Sequence, residues 1–257
     1  MVRLSVVVIT YNEERNLDRC LSSVHGVADD IVVLDSHSTD RTRAIAERHS
    51  ARVYHHDFDD HAAQKNRAMA HASYPYILSL DADEALSDEL RESIMRIKAV
   101  WTADAYSMNR RTNYCGSWIT HGGWYPDRKV RLFDRRVATW QDENDLHERI
   151  VLSEGARSTH LHGDLLHYSY YTREDHLRQI ERFTDIMSRA MHRSGERSSV
   201  MKAASRSAFK FVRDYVLKLG MLDGAAGFTI ARLSAWATWL KYRKVAALST
   251  QPQTERA

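Results

Sequence analysis

The sequence predicts an α/β fold: a Rossmann-like, doubly wound and mostly parallel sheet followed by a C-terminal helical extension. Two patterns lead there. The first hundred residues alternate short β-branched runs with amphipathic stretches at the spacing of strand–helix–strand units. After Thr172 the apolar residues recur instead at three- and four-residue steps, as in Leu177, Ile180, Phe183 and Met187. The composition agrees, since 257 residues with 43% hydrophobic, 28% charged and only three Pro exclude disorder and collagen-like repeats.

The elements follow in order. Arg3–Ile9 is a buried-type strand, and Glu14–Val24 is a helix with Leu17, Leu21 and Val24 on one face. Thr10-Tyr-Asn-Glu13 between them has the form of a capping box. Ile31–Leu34 is a second strand, with a helix from about Thr39 to His49 after it. Val53–His55 and a helix over Asp60–Ala72 come next, then a fourth strand at Tyr76–Leu80. Ser87 caps a helix to about Val100, with Asp88 and Glu89 at the positive end of its dipole. From Ala103 to Tyr168 the pattern changes to short β-like runs such as Lys129–Phe133 and Arg149–Leu152. Two further helices, Val200–Leu219 and Ala225–Val245, flank Gly220-Met-Leu-Asp-Gly224.

In a parallel sheet of this kind ligands bind beyond the carboxyl ends of the strands. Those ends are Thr10–Glu13, Asp35–Asp40 and Asp81–Glu84, so three carboxylate-rich loops converge on one edge. Asp81 and Asp83, one residue apart on a loop, can both reach a hard divalent cation or else form a solvated acidic turn. Asp35 can accept hydrogen bonds from a nucleobase imide or a ribose, or simply open a helix-entry turn. No GxGxxG follows the first strand and no GxxxxGK[ST] occurs, which disfavours a nicotinamide or flavin enzyme and excludes a P-loop kinase. The run Val6–Ile9 is far short of the ~20 apolar residues of a membrane span. With no signal peptide evident and only Cys20 and Cys115, the expected setting is cytoplasmic and free of disulfides.

Ser5-Val-Val-Val-Ile-Thr-Tyr-Asn-Glu, Val33-Leu-Asp-Ser-His-Ser-Thr-Asp, Ala63-Gln-Lys-Asn-Arg-Ala and Leu78-Ser-Leu-Asp-Ala-Asp-Glu together resemble the family 2 glycosyltransferases, whose fold is GT-A. Gly123-Trp-Tyr-Pro-Asp-Arg-Lys-Val-Arg-Leu-Phe, Leu146-His-Glu and Leu222-Asp-Gly-Ala-Ala-Gly-Phe are similar to the bacterial subgroup containing the lipopolysaccharide core β-1,4-glucosyltransferases. The likeness is strong over about the first 85 residues and softer behind.

The resemblance implies an inverting transfer from a UDP-sugar, a hexose with glucose as the first choice, to a lipid-linked saccharide. It places Thr10, Tyr11, Asn12, Glu14 and Asp35 around the nucleoside and Lys65 near the donor. It sets the Asp81-Ala82-Asp83 stretch against ribose, diphosphate and Mg²⁺ or Mn²⁺, with His167 as a further metal ligand or an ordinary structural histidine. Lys65 and Arg131 suit a departing diphosphate, being fixed positive charges; an exposed basic residue is the plainer account of Arg131. The base that takes the acceptor's proton lies among the four carboxylates of Asp142–Glu148, Glu148 first and Asp145 second; the same segment also suits a solvated acidic loop.

On this view residues 1–170 form the nucleotide-sugar-binding and catalytic domain, and 171–257 a helical extension for acceptor and membrane contact. From Ser198 onward ten Lys/Arg face three Asp/Glu, while the preceding part carries 27 basic and 31 acidic residues. Phe209, Val212, Val216 and Leu219 form an apolar stripe among those cations, and Trp236, Trp239, Leu240 and Tyr242 lie beside Lys241, Arg243 and Lys244. Such helices suit an anionic membrane surface on the inner face of the inner membrane, or equally a helix packed on its own domain. Capsule, O-antigen and polyprenyl-phosphate glycans are alternative acceptors. A nucleotidyltransferase would carry a glycine- and basic-rich loop in place of Thr10–Glu14, and a non-catalytic anion-binding module would be indifferent to carboxylate substitution.

Overall fold

The computed structural model describes residues 1–142 and 148–250. They form two compact units, one of residues 1–111, 127–142 and 148–169, the other of residues 112–126 and 170–250.

In the first unit β1 (Leu4–Thr10), α1 (Leu17–Ser23), β2 (Asp30–Asp35), α2 (Thr42–Arg48), β3 (Arg52–His55), α3 (His61–Ala70) and β4 (Tyr76–Asp81) alternate as the sequence predicts. β1 pairs in parallel with β2 and β4, and β2 with β3. Both faces of this sheet are covered, which is why its strands are continuous apolar runs. Successive residues of β1 serve opposite sides. Val6 and Val8 pack with Leu17, Leu21, Ile45, Leu78 and Leu80, whereas Val7 packs with Val32, Leu34, Ala68, Ile77 and Phe133.

The helix starts separate into two kinds. Asp60 accepts a hydrogen bond from Ala63 N–H at 2.7 Å and caps α3. Ser87 accepts one from Leu90 N–H at 3.2 Å and caps α4 (Asp88–Ala99), after a short β5 (Glu84–Leu86) that the sequence did not reveal. The capping box expected at Thr10–Glu13 is not one: Thr10 closes β1, α1 begins only at Leu17, and Glu13 N–H bonds instead to Thr42 Oγ1 at 2.8 Å.

The middle of the chain departs further from its short β-like runs. It builds β6 (Ala105–Tyr114), β7 (Ser117–Trp118), β8 (Asp127–Asp134), β9 (Ala138–Asp142), β10 (Glu148–Leu152) and β11 (Ser158–Tyr170). β8 inserts antiparallel between β4 and β6, and β5 pairs antiparallel with β11, giving the order β3-β2-β1-β4-β8-β6-β11-β5. β9 and β10 form a separate antiparallel pair in which Glu148 faces Asp142. β11 crosses the start of α4 closely: Ser87 N–H bonds to Asp164 O at 3.0 Å and Asp164 N–H to Ser87 Oγ at 3.2 Å. Gly163 makes this possible, because its φ is +100° and a Cβ there would overlap the backbone nitrogen of Leu90.

In the second unit α5 (Arg173–Arg193) starts with the reciprocal Thr172–Asp175 capping box, and α6 (Val200–Val212) and α7 (Gly224–Thr250) follow. The helix expected to run to Leu219 ends at Val212, continuing as a π-helical turn over Arg213–Leu217 and a 3₁₀ turn over Gly220–Asp223. Lys244 of α7 ties to Glu181 and Asp185 of α5 at 2.9 and 2.8 Å. Among the described residues no helix is long and apolar enough to cross a membrane.

Candidate active site

Strand register brings the three carboxyl-end loops together. Thr10 lies opposite Asp35, Ile9 opposite Asp81, and Asp35 opposite His55. Asp35 is fully buried; it accepts from Ser38 N–H at 2.9 Å and from the Ser38 hydroxyl, and His55 Nδ1 stands 3.4 Å away. Asn12, at φ +53°, donates its backbone N–H to Ser38 Oγ at 2.8 Å and accepts from Thr39 N–H at 2.8 Å, stitching the first loop to the second. The buried Thr10 hydroxyl has no partner among the described residues, so an acceptor or donor atom of a ligand would satisfy it. Tyr11 is 60% exposed, and Glu14 is turned to the surface against Arg41 at 3.1 Å.

A buried ion network lies beside these loops. Lys65, on α3 and only 1% exposed, places its Nζ 2.7 Å from both Asp81 Oδ1 and Glu148 Oε1. Arg131, on β8, donates from Nη2 to Asp81 Oδ2 at 2.7 Å and to Glu84 Oε1 at 2.8 Å, and from Nε to Glu84 Oε2 at 3.2 Å. It is therefore not an exposed basic residue. Glu84 Oε2 also accepts the Asp81 backbone N–H at 3.0 Å. Arg110 approaches Glu84 at 3.6 Å and pairs with Asp127 at 2.8 Å. The Trp140 ring covers both buried cations, 4.4 Å from Lys65 Nζ and 5.3 Å from Arg131 Cζ.

The electrostatics follow from this geometry. Burial works against the Asp81 charge, but Lys65 and Arg131 outweigh it and hold the carboxyl far below the usual carboxylate range. Burial likewise opposes ionisation of Glu148, and the Lys65 ammonium again prevails, leaving Glu148 below its ordinary value. Glu13 moves the other way: burial raises it against the hydrogen bond from Asn16, and Asp83, Asp40 and Asp81 add to the rise.

Asp83 stands apart from the network. Its Oδ2 is 3.2 Å from His167 Nε2, and its carbonyl accepts from Tyr168 N–H at 2.9 Å. A carboxylate and an imidazole side by side suit Mg²⁺ or Mn²⁺ when diphosphate oxygens and waters complete the coordination. Asp81, already held by two cations, is the poorer ligand of the pair. Among the described residues no group of three or more His, Cys, Asp or Glu is arranged to hold a metal by itself. Ala82 is buried and contributes only apolar wall. Asp145 lies outside the described residues.

Sequence reasoning missed Glu13, Glu84 and Trp140. Glu84 stood inside the Asp-Ala-Asp-Glu motif, but nothing local marked its last residue as the partner of Arg131. Trp140 carried no signal, because its contact with Lys65 joins residues distant in the chain.

The model of the glycosyl transferase family 2 matches residues 5–148. A glycosyltransferase of Rickettsia typhi, RT0209, is 25% identical over 258 residues, covering 97% of this chain and 88% of its own. The lipopolysaccharide core biosynthesis glycosyltransferase LpsC of Rhizobium meliloti is 27% identical over 263 residues, covering 99% and 97%. Among solved structures, glucosyl-3-phosphoglycerate synthase of Mycobacterium tuberculosis, in complex with Mn²⁺ and UDP-glucose, is 20% identical over 44% of each chain with a TM-score of 0.37. The match over more than half of its length, with the strand-end motifs that fall inside it, shows that the chain belongs to glycosyl transferase family 2.

Proposed function

We propose that this glycosyltransferase moves a hexose, glucose as the first choice, from a UDP-sugar to a lipid-linked saccharide of the lipopolysaccharide core, with inversion at the anomeric carbon. The observation that supports the reading best is the buried ammonium of Lys65 set between Asp81 and Glu148 at 2.7 Å from each. The name of the Rhizobium relative points to the same class of acceptor.

In the proposed displacement the acceptor hydroxyl oxygen attacks the anomeric carbon from the face opposite the diphosphate. Glu148, ionised at neutral pH, takes the hydroxyl proton as that bond forms. The bond from the anomeric carbon to the diphosphate oxygen breaks, and UDP leaves with the electron pair. Lys65 offsets the charge that develops there, and Arg131 acts through its hold on Asp81. Asp35, Thr10 and Asn12 line the nucleoside end. Asp83 and His167 would hold Mg²⁺ or Mn²⁺, which when bound neutralises diphosphate charge. Calorimetric titration with UDP tests the donor site: binding is expected in Mn²⁺ and is lost in EDTA, whereas no binding in Mn²⁺ would overturn it.

The acceptor end is assigned to the inner face of the inner membrane. Val212, Val216, Leu217, Leu219, Met221 and Leu222 are each more than 40% exposed around the break between α6 and α7, with Lys218 among them and with Lys210 and Arg213 paired to the buried Asp214 at 2.7 and 2.8 Å. An apolar surface fringed by cations matches an anionic bilayer interface. Co-sedimentation is expected with vesicles containing phosphatidylglycerol and not with pure phosphatidylcholine, and Leu219→Ser with Leu222→Ser weakens it. Equal sedimentation with both vesicles, or with neither, would count against the assignment.

A further inference from the structure

Glu84 is the one buried carboxylate of the network with no part in the proposed displacement. Its side chain is fully buried, and both oxygens are engaged: Oε1 by Arg131 Nη2 at 2.8 Å, Oε2 by Arg131 Nε at 3.2 Å and by Asp81 N–H at 3.0 Å. In this arrangement Arg131 meets Asp81 through Nη2 alone, on Oδ2, while Asp81 Oδ1 stays with Lys65. We propose that Glu84 is a positioning residue of the donor site: by gripping the Nε–Nη2 edge of Arg131 it orients the guanidinium to a single Nη2 contact with Asp81, and so keeps Lys65 placed between Asp81 and Glu148.

The buried charges of this network compete for partners. A guanidinium binds a carboxylate most strongly through two parallel N–H bonds. Glu84 provides that bidentate partner. With its charge removed, Arg131 swings its fork onto Asp81, the strongest anion left within reach. Lys65 is then displaced from Asp81 and rests on Glu148 alone, which ties down both the cation meant for the diphosphate and the carboxylate meant for the acceptor proton. The inference about Arg131 stands on the geometry of the donor-free protein; its consequence for turnover rests on the donor-site reading above.

The test uses the full chain and two independent readouts. Arg131 Nε–H is buried and hydrogen-bonded, so it should give a slowly exchanging side-chain resonance, identified by its loss in Arg131→Lys. Glu84→Gln is expected to shift or broaden this signal in donor-free protein and to lower kcat about ten- to hundredfold, the range found when partners that orient a site's ligands are removed. Glu84→Asp, which keeps the buried charge, should restore part of kcat. An unchanged Arg131 resonance, or kcat within threefold of wild type, overturns the proposal. If Glu84→Gln does not fold because Arg131 is left unpaired, Glu84→Gln with Arg131→Met removes both charges; this pair should fold and remain slow, and wild-type turnover by it would overturn the proposal equally. Failure of the wild type to bind UDP sinks the donor-site reading and leaves the resonance to decide the role of Glu84.

Discussion

Glu148→Gln is expected to bind UDP with Mn²⁺ within about threefold of wild type and to lose transfer by roughly 10²- to 10⁴-fold, the contribution of a positioned base. The substitution keeps the volume of the side chain and one oxygen to face Lys65, so the network loses a charge but little packing. Lys65 remains paired with Asp81 at 2.7 Å. Binding therefore separates from turnover, and titration calorimetry set against initial rates reads the difference. The pH profile gives the same answer by another route. Because Lys65 outweighs burial and holds the Glu148 carboxyl below its ordinary value, the group stays ionised at neutral pH. Its folded-state value is depressed, so the stability gained from its pairing is present above the unfolded value near ~4.3 and is lost as pH falls through the folded one. The acid limb of kcat/KM should accordingly fall below pH ~4.3 and vanish in the variant. Near-normal turnover by Glu148→Gln would move the base to another carboxylate of the 142–148 segment.

Asp83→Ala carries the second large effect. Its carboxylate meets His167 rather than the buried cations, and it is about one-quarter exposed, so its removal leaves no unpaired buried charge behind. Thermal stability should change little, since such a site costs about 1 kcal/mol or less. UDP binding in Mn²⁺ should drop to the level seen in EDTA, and transfer should fall on the order of a hundredfold or more. Asp81 would be the wrong residue for this experiment. Stripping it exposes Lys65 and Arg131 to each other without their shared anion, at a cost of about 3–5 kcal/mol, and the loss of activity would then report unfolding. Metal-dependent binding that survives in Asp83→Ala would remove Asp83 from the metal site.

The parallel half of the sheet was legible because a strand covered on both faces must be apolar throughout, and β1, β2 and β4 have no other way to be read. The caps of α3 and α4 were legible for a different reason: Asp60 and Ser87 act on residues three positions away, a distance local sequence can express. Thr10–Glu13 looked the same and misled, because Thr10 lies in β1 with its hydroxyl unpartnered among the described residues, the Asn12 and Glu13 N–H groups go to Ser38 and Thr42, and the Glu13 carboxylate takes Asn16 instead of reaching back to Thr10. β6 and β8 were underestimated since Arg110, Arg128, Lys129 and Arg131 interrupt their apolar alternation. Two of those side chains are charged because they point into an ion network, which no periodicity announces. In the same way Lys65, Asp81 and Glu148 could be named from their motifs, whereas Glu84 and Trp140 acquire meaning only from contacts made across the sheet.

Gly163 has a further bearing on the site. It lies four residues before His167 on β11, at the point where that strand touches the backbone of α4. Any side chain there must lift β11 from the helix, and the lift is passed along the strand to His167 and Tyr168, which face Asp83. A survey of inactivating substitutions would then return position 163 together with the carboxylates, although it offers no atom to donor, acceptor or metal. Its contribution is a thickness: the absence of one methyl group sets how far the imidazole stands from the carboxylate.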